Sequence, residues 1–303
     1  MMFIDENLFD FSNSNKSIVL AITQWNYWRT TQRCIDSIRK YTDLDNVNLI
    51  IMDDCSDDNE AIKWLSETKE KVIRADKNYQ HNSLVRQLLD FLKDKESIKY
   101  TCVMNNDILV TKDWLKNMIS CMDTDGNIAL MGSKDNNDYH MFQNFPIPNE
   151  VRPDENGYVF GDDIKLQEYI DREFYAKRKS NIWVQVQTID GNVMLFRNSI
   201  IKKIGSLNPE FDDYAGDSEF FLKVNRNGYK VAYCLSSFVY HLGGGQAGKY
   251  ISFLKNYHRP LADAAKEKAV LIYNRYGIDI TTHGRASNAR RQEIIDMEKK
   301  MVE

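Results

Sequence analysis

The sequence predicts an α/β fold, with a wound, mainly parallel sheet and flanking helices. It also predicts an irregular middle insertion and a helical C-terminal extension. Three observations predict this. Short apolar runs rich in β-formers alternate with helically periodic segments through the first half of the chain. Four successive strand ends carry acids or amides: Gln24-Trp25-Asn26, Asp53-Asp54, Asp76-Lys77-Asn78 and Asn105-Asn106-Asp107. Regular patterning fades between residues 133 and 187 and then returns.

The elements follow in order. Ser17–Thr23 is a continuous apolar run, hence a buried strand. Trp28–Tyr41 is a helix, because Cys34, Ile35, Ile38 and Tyr41 recur at helical steps. Val47–Met52 is the second strand, and Glu60–Glu70 a helix. Lys71–Ala75 is the third strand, and Asn82–Leu92 a helix with four leucines on one face. Tyr100–Met104 is the fourth strand. Asp113 is expected to cap a helix that runs to Met122. Ile128–Met131 is a fifth strand. Within the polar middle, Ile164–Arg178 is a charged helix candidate, and the whole stretch is expected to lie as a mobile region over the site. Thr188–Phe196, helices at Ser199–Ile204 and Asp217–Asn227, and two strands at Lys230–Tyr233 and Ser237–Tyr240 complete the pattern. A glycine run, Gly243–Gly245, precedes a helical extension from about Gly248 and a charged tail after Gly284.

Composition removes several classes. The 303 residues carry 40 Lys+Arg against 44 Asp+Glu, a net charge of −4, which argues against a general nucleic-acid binder. No apolar run is long enough for a membrane-spanning helix. The opening MMFIDENLFDF is acidic and lacks the basic and apolar regions of a secretory signal. The five cysteines form no CxxC pair, so reduced thiols in a cytoplasmic protein without a zinc site are expected.

In wound sheets, ligands bind beyond the carboxyl ends of the strands, which directs attention to the polar strand ends. A carboxylate at Asp53 or Asp54 suits a nucleobase N–H or a ribose hydroxyl, and equally a turn that caps the next helix. An acid after a strand, as at Asp107, suits a divalent cation completed by phosphate oxygens. Asp217 and Glu219 open a helix, where acids complement the dipole or act as a general base. His241 ends a strand before three glycines.

Taken as an ordered set over about Ser17–Gly245, these pieces resemble the family 2 glycosyltransferases of the GT-A fold. The resemblance is carried by VLAITQWNYWRTTQRCIDSIRKYT in the opening strand and helix, IIMDDCSDDN at the second strand end, and DKNYQHNSLVRQLL. CVMNNDILVTKDWL and the block from Gly191 to Gly245 complete it. It implies that Asp53 and Asp54 recognise base and ribose. It implies that Asn78, Arg86 and Asn106 line the nucleotide pocket, with Trp25 placed to stack on the base. It implies that Asp107 and His241 hold a divalent cation, Mn2+ or Mg2+. It makes Asp217 the catalytic base. A two-residue shift of the alignment would make Glu219 the base instead. The first position of the metal motif is Asn105 rather than an acid.

The expected activity is metal-dependent, inverting transfer of a sugar from a nucleotide-diphosphate sugar, a UDP-sugar favoured, to an acceptor hydroxyl. The acceptor is left open among glycan, protein and modified nucleic acid, as is oligomerisation. Residues 1–245 are expected to form the transferase domain: a nucleotide half over 17–132, an insertion over 133–187 and an acceptor half over 188–245. Residues 246–303 form the extension, whose basic stretch Arg285–Arg291 is either a solvated helix face or a seat for an anionic acceptor. Two other classes are a nucleotidyltransferase and an inactive sugar-nucleotide binder. The first would want a glycine-rich loop after the first strand, where Gln24–Arg29 has no glycine. The second is suggested by Asn105.

Overall fold

The computed structural model describes residues 4, 6–9, 16–136, 145–153, 163–242 and 261–277. The glycine run, the charged tail and Arg285–Arg291 lie outside these residues. Strand β1 (Ile18–Gln24) is buried at every position, and its side chains alternate between two cores. Val19 and Ala21 face one, while Ile18, Leu20 and Ile22 face the other, as the two-residue period of a strand requires. Strands β2 (Val47–Asp53) and β4 (Tyr100–Asn105) flank β1 in parallel, and β3 (Lys71–Arg74) adds parallel to β2. Helix α1 (Trp28–Tyr41) covers one face with Cys34, Ile35 and Ile38. Helix α2 (Asn59–Glu67) is capped by Asp58, whose carboxylate accepts the Ala61 N–H at 2.9 Å.

Helix α3 (His81–Leu92) lies on the opposite face and buries Leu84, Leu88, Leu89 and Leu92, each position worth about 1.5–3 kcal/mol of apolar burial. Strand β5 (Ile108–Val110) follows β4 directly and has no counterpart in the sequence reading; its three residues are too few to show a period. Helix α4 (Trp114–Asp123) is not capped by the Asp113 side chain. Asp113 instead lies in the left-handed region at φ 57°, and its main-chain carbonyl accepts the Asn117 N–H.

Strand β6 (Ile128–Lys134) runs three residues further than expected. The described part of the middle carries helix α5 (Asp163–Glu173) and strand β7 (Trp183–Val186). Ile147 and, on and after α5, Leu166, Ile170 and Phe174 pack against Leu109 of β5 and against Phe238 and Tyr240 beside it, whereas β7 packs with the two main cores. Strand β8 (Val193–Arg197) leads into α6 (Asn198–Ile204), and α7 (Gly216–Arg226) precedes β9 (Lys230–His241). Helix α8 (Leu261–Tyr276) belongs to the C-terminal extension.

Strand β9 is one element where the sequence suggested two. Ser236 and Ser237 interrupt the apolar pattern, but Ser237 Oγ donates to the Trp114 carbonyl at 3.0 Å and the Ser236 carbonyl accepts from Asn117 at 2.8 Å. Satisfied hydroxyls sit in a buried strand at little cost. The irregularity appears instead as a register shift against β6, between Ser133↔Cys234 and Lys134↔Phe238.

The sheet order is β3-β2-β1-β4-β8-β6-β9-β5, with β7 on β9. The β3 to β4 half is parallel throughout, whereas β8, β5 and β7 pair antiparallel. No helix among the described residues is long and apolar enough to cross a membrane. The described cysteines are free thiols.

Gln80, just before α3, lies at φ 69° and ψ 158°, a region that favours glycine. Its N–H donates to Asp54 at 2.8 Å and its carbonyl accepts from Leu84 at 3.1 Å, so both ends are fixed. Gln80→Gly should therefore raise stability by about 1 kcal/mol, a rise of roughly 2–4 °C in Tm. Gln80→Ala keeps the offending Cβ and should give no such gain in the same calorimetric scan.

Candidate active site

A cleft of about 430 Å³ opens beyond the carboxyl ends of β1, β2 and β4. Its lining joins Trp25, Asp54, Asn106, Asp107, Asp217 and His241. Asp53, Asn78, Arg86 and Glu219 do not line it.

The β1 and β2 ends are tied by Asn26, whose side-chain carbonyl accepts the N–H groups of Asp57 and Asp58 at 3.0 and 2.9 Å. The two neighbouring acids then divide the work. Asp53 is fully buried and accepts from the Ser56 N–H, the Ser56 hydroxyl and Gln24, with Arg74 at 3.6 Å. It builds the turn rather than facing the cleft. Asp54 reaches the cleft and also accepts from the Tyr79 and Gln80 N–H groups at 2.6 and 2.8 Å. Burial pushes its carboxyl up to about 6, against the pull of those two N–H groups. Asn78 stands in the loop so held, with its side-chain oxygen buried and without a hydrogen-bond partner among the described residues.

Beyond β4, the Asn106 amide donates to Thr30 and Thr31 on α1 at 3.3 and 3.0 Å. Asp107 then meets His241, because the antiparallel register sets Ile108 opposite His241. The Asp107 carbonyl accepts from Leu242 at 2.9 Å. Asn136 grips the His241 backbone on both sides, accepting its N–H at 2.6 Å and donating to its carbonyl at 3.0 Å. Asp107 Oδ1 and His241 Nε2 are 3.3 Å apart. Burial alone would lower the imidazole, but Asp107, with Asp190 and Asp135, outweighs it and lifts the group to about 9.

These residues fit a divalent cation. Two ligands in adjacent positions at metal–donor distances of about 2.1 Å are separated by about 3 Å, close to the spacing of this pair. The acids that raise His241 would equally favour a bound cation. Among the described residues no group of three or more His, Cys, Asp or Glu side chains is arranged to hold a metal.

Asp217 opens α7 and lines the cleft. A Cβ on Gly191 would lie 2.7 Å from Asp217 Oδ2, so only glycine lets the carboxylate occupy this place. Glu219 is two residues on, about 200° around the helix, and points to the other side. It is buried, accepts from Tyr276 of α8 at 2.6 Å, and has Arg275 at 3.5 Å. The structure thus separates the two candidate bases by helix geometry. Arg86 likewise lies on the far side of α3, in a bidentate pair with Asp212 at 2.5 and 2.7 Å. Arg86 and Glu219 line a second recess, away from Asp54 and Asp107.

Sequence reasoning missed His81, Asp190 and Asn192, which also line the cleft. Asn192 donates to buried Asp135 at 2.6 Å and so fixes the Asp190–Asn192 turn. An acid beside a glycine just before a strand was the available signal.

Comparison with solved structures finds similarity to GalNAc-T7, crystallised with UDP, GalNAc and Mn2+, at 15% identity and a TM-score of 0.51, over 74% of this chain and 43% of that one. The mannosyltransferase PcManGT from Pyrobaculum calidifontis, in complex with GDP-Man and Mn2+, is similar at 13% identity and a TM-score of 0.53, over 82% of this chain and 64% of that one. The chain spans less than two-thirds of either relative's length, and the likeness is one of fold. No curated protein matches the chain in sequence. The model of the family described as glycosyl transferase family 2 matches residues 19–205, well over half the chain. The chain therefore belongs to the family 2 glycosyltransferases, with their GT-A fold.

Proposed function

We propose that this protein transfers a sugar, with inversion, from a nucleotide-diphosphate sugar to an acceptor hydroxyl. The observation that carries the reading is the single cleft in which Asp54, the Asp107–His241 pair and Asp217 face one another. The nucleoside lies at the Trp25 and Asp54 end, and UDP-sugars are the favoured donors. Both similar structures hold a nucleotide or nucleotide sugar with Mn2+.

Asp107 and His241 would hold the divalent cation, Mn2+ or Mg2+. When bound, the ion neutralises charge on a departing diphosphate. Asp217 takes the proton of the acceptor hydroxyl as its oxygen attacks the anomeric carbon, on the face opposite the diphosphate. One carbon–oxygen bond forms, the bond to the phosphate oxygen breaks, and the electron pair leaves with the diphosphate. Gly191 leaves room for the carboxylate and the Ser218 N–H donates to it at 2.7 Å, so less ordering remains for the reaction step.

Asp217→Asn preserves size and removes the proton acceptor; transfer should fall about 10²–10⁴-fold with donor affinity nearly intact. Glu219→Gln leaves Asp217 in place and should retain transfer, and an inverted pattern between the two would reassign the base.

Gly191→Ala should lower kcat, because the methyl displaces the Asp217 carboxylate, while nucleotide binding at the Asp54 end stays within about twofold. A displacement of about 1 Å can cost roughly a hundredfold. Wild-type kcat in this variant would show that the close approach does not matter.

Excess chelator should abolish transfer and Mn2+ restore it. Asp107→Ala should raise the Mn2+ needed for half-maximal rate by more than the roughly 10–100-fold typical of losing an outer-sphere partner. Undiminished activity in chelator would remove metal dependence from the reading.

A further inference from the structure

His81 stands at the first position of α3, inside the cleft, and the catalytic scheme above gives it no task. Its tautomer is fixed by its neighbour. Thr23 Oγ1 lies 3.0 Å from His81 Nδ1 and 3.2 Å from the Met104 carbonyl oxygen. A hydroxyl has one proton, and a carbonyl accepts only. Both contacts are hydrogen bonds in one arrangement: Thr23 donates to Met104 and accepts from Nδ1–H. Nε2 is then a bare acceptor. Burial supports the neutral ring, holding the imidazole down to about 4.

The first turn of α3 also locates His81 along the ligand. On one side the N–H groups of Tyr79 and Gln80 bind Asp54, at the nucleoside end. On the other, Asn82 packs against Gly216, where a Cβ would lie 2.9 Å from the Asn82 amide carbon. Gly216 immediately precedes Asp217. His81 therefore sits between the nucleoside end and the base, where the sugar to be transferred must lie.

We propose that His81 is a specificity-determining residue whose Nε2 accepts a hydrogen bond from a hydroxyl of the transferred sugar. This rests on the glycosyltransferase reading. A bare acceptor inside a cleft rewards a hydroxyl and penalises a donor lacking one at that position, since the imidazole would then be left unpaired.

Two substitutions dissect the ring. His81→Asn places an amide N–H near Nδ1, keeping the Thr23 bond, and has nothing at Nε2. His81→Gln extends an amide carbonyl to the Nε2 position and gives up the Thr23 bond. The full chain with Mn2+ is titrated calorimetrically with UDP and GDP, and with UDP-glucose, UDP-GlcNAc, UDP-GalNAc and GDP-mannose. For the donor that wild type binds best, His81→Asn should weaken binding about 3- to 30-fold. The matching free nucleotide should bind within about twofold of wild type, which also shows that the variant is folded. His81→Gln should recover most of the donor affinity. Equal losses for nucleotide and donor would move the contact to the nucleoside and overturn the proposal, as would no loss for either. A wild-type chain that binds neither nucleotides nor donors would instead overturn the glycosyltransferase reading itself.

Discussion

The cleft depends on the short antiparallel pairing of β5 with the end of β9. Only three residue pairs make it, yet they bring Asp107 and His241 together from distant parts of the chain. Everything around the pair restrains its register. β9 is fixed along its first half by β6 and β7, and the Asn136 side chain clasps the His241 backbone. A one-residue slip would turn His241 to the opposite face, because strand side chains alternate. The buried serines of β9 matter for the same reason: hydrogen-bonded to α4, they let a strand of 12 residues run through without a break.

The acids around the cleft set its electrostatics. Asp54, Asp107, Asp190 and Asp217 line it, and Asp135 lies buried behind. Gathering carboxylates in a partly buried space is unfavourable without compensation. Part of the compensation comes from within the chain, through backbone N–H groups at Asp54 and through His241. The remaining negative charge is of the kind a cation would offset.

The parallel half of the sheet was legible in the sequence because its strands are buried on both faces and read as continuous apolar runs. The polar strand ends were legible too, since acids and amides interrupt those runs at one edge. Three features were not. β5 is too short to carry a period, and β7 has half-exposed residues with no clear alternation. The break that the sequence places in β9 before Ser237 is closed by hydrogen bonds of Ser236 and Ser237 with α4, which no local pattern records. In the site, Asp53, Arg86 and Glu219 carry the residue types of a binding site but spend them on the fold. Which of two adjacent acids faces the cleft is a matter of side-chain direction, and a motif does not record it. Gly191 and His81 were overlooked for the converse reason: what they do depends on Asp217 and Thr23, which only the fold sets beside them.

The partnership of Glu219 with Tyr276 and Arg275 has a consequence for how such a chain can change over generations. Asp217 and Glu219 share one helical turn, so the segment that carries Tyr276 is coupled to the Asp217 end of the cleft through a buried carboxylate. A lineage that exchanged this C-terminal segment for another module would inherit an unsatisfied acid at the heart of α7. The replacement would have to bring its own hydroxyl or guanidinium to that spot, or the acid would have to be lost in the same step. Diversification of the tail is thereby tied to a single position of the enzyme's interior.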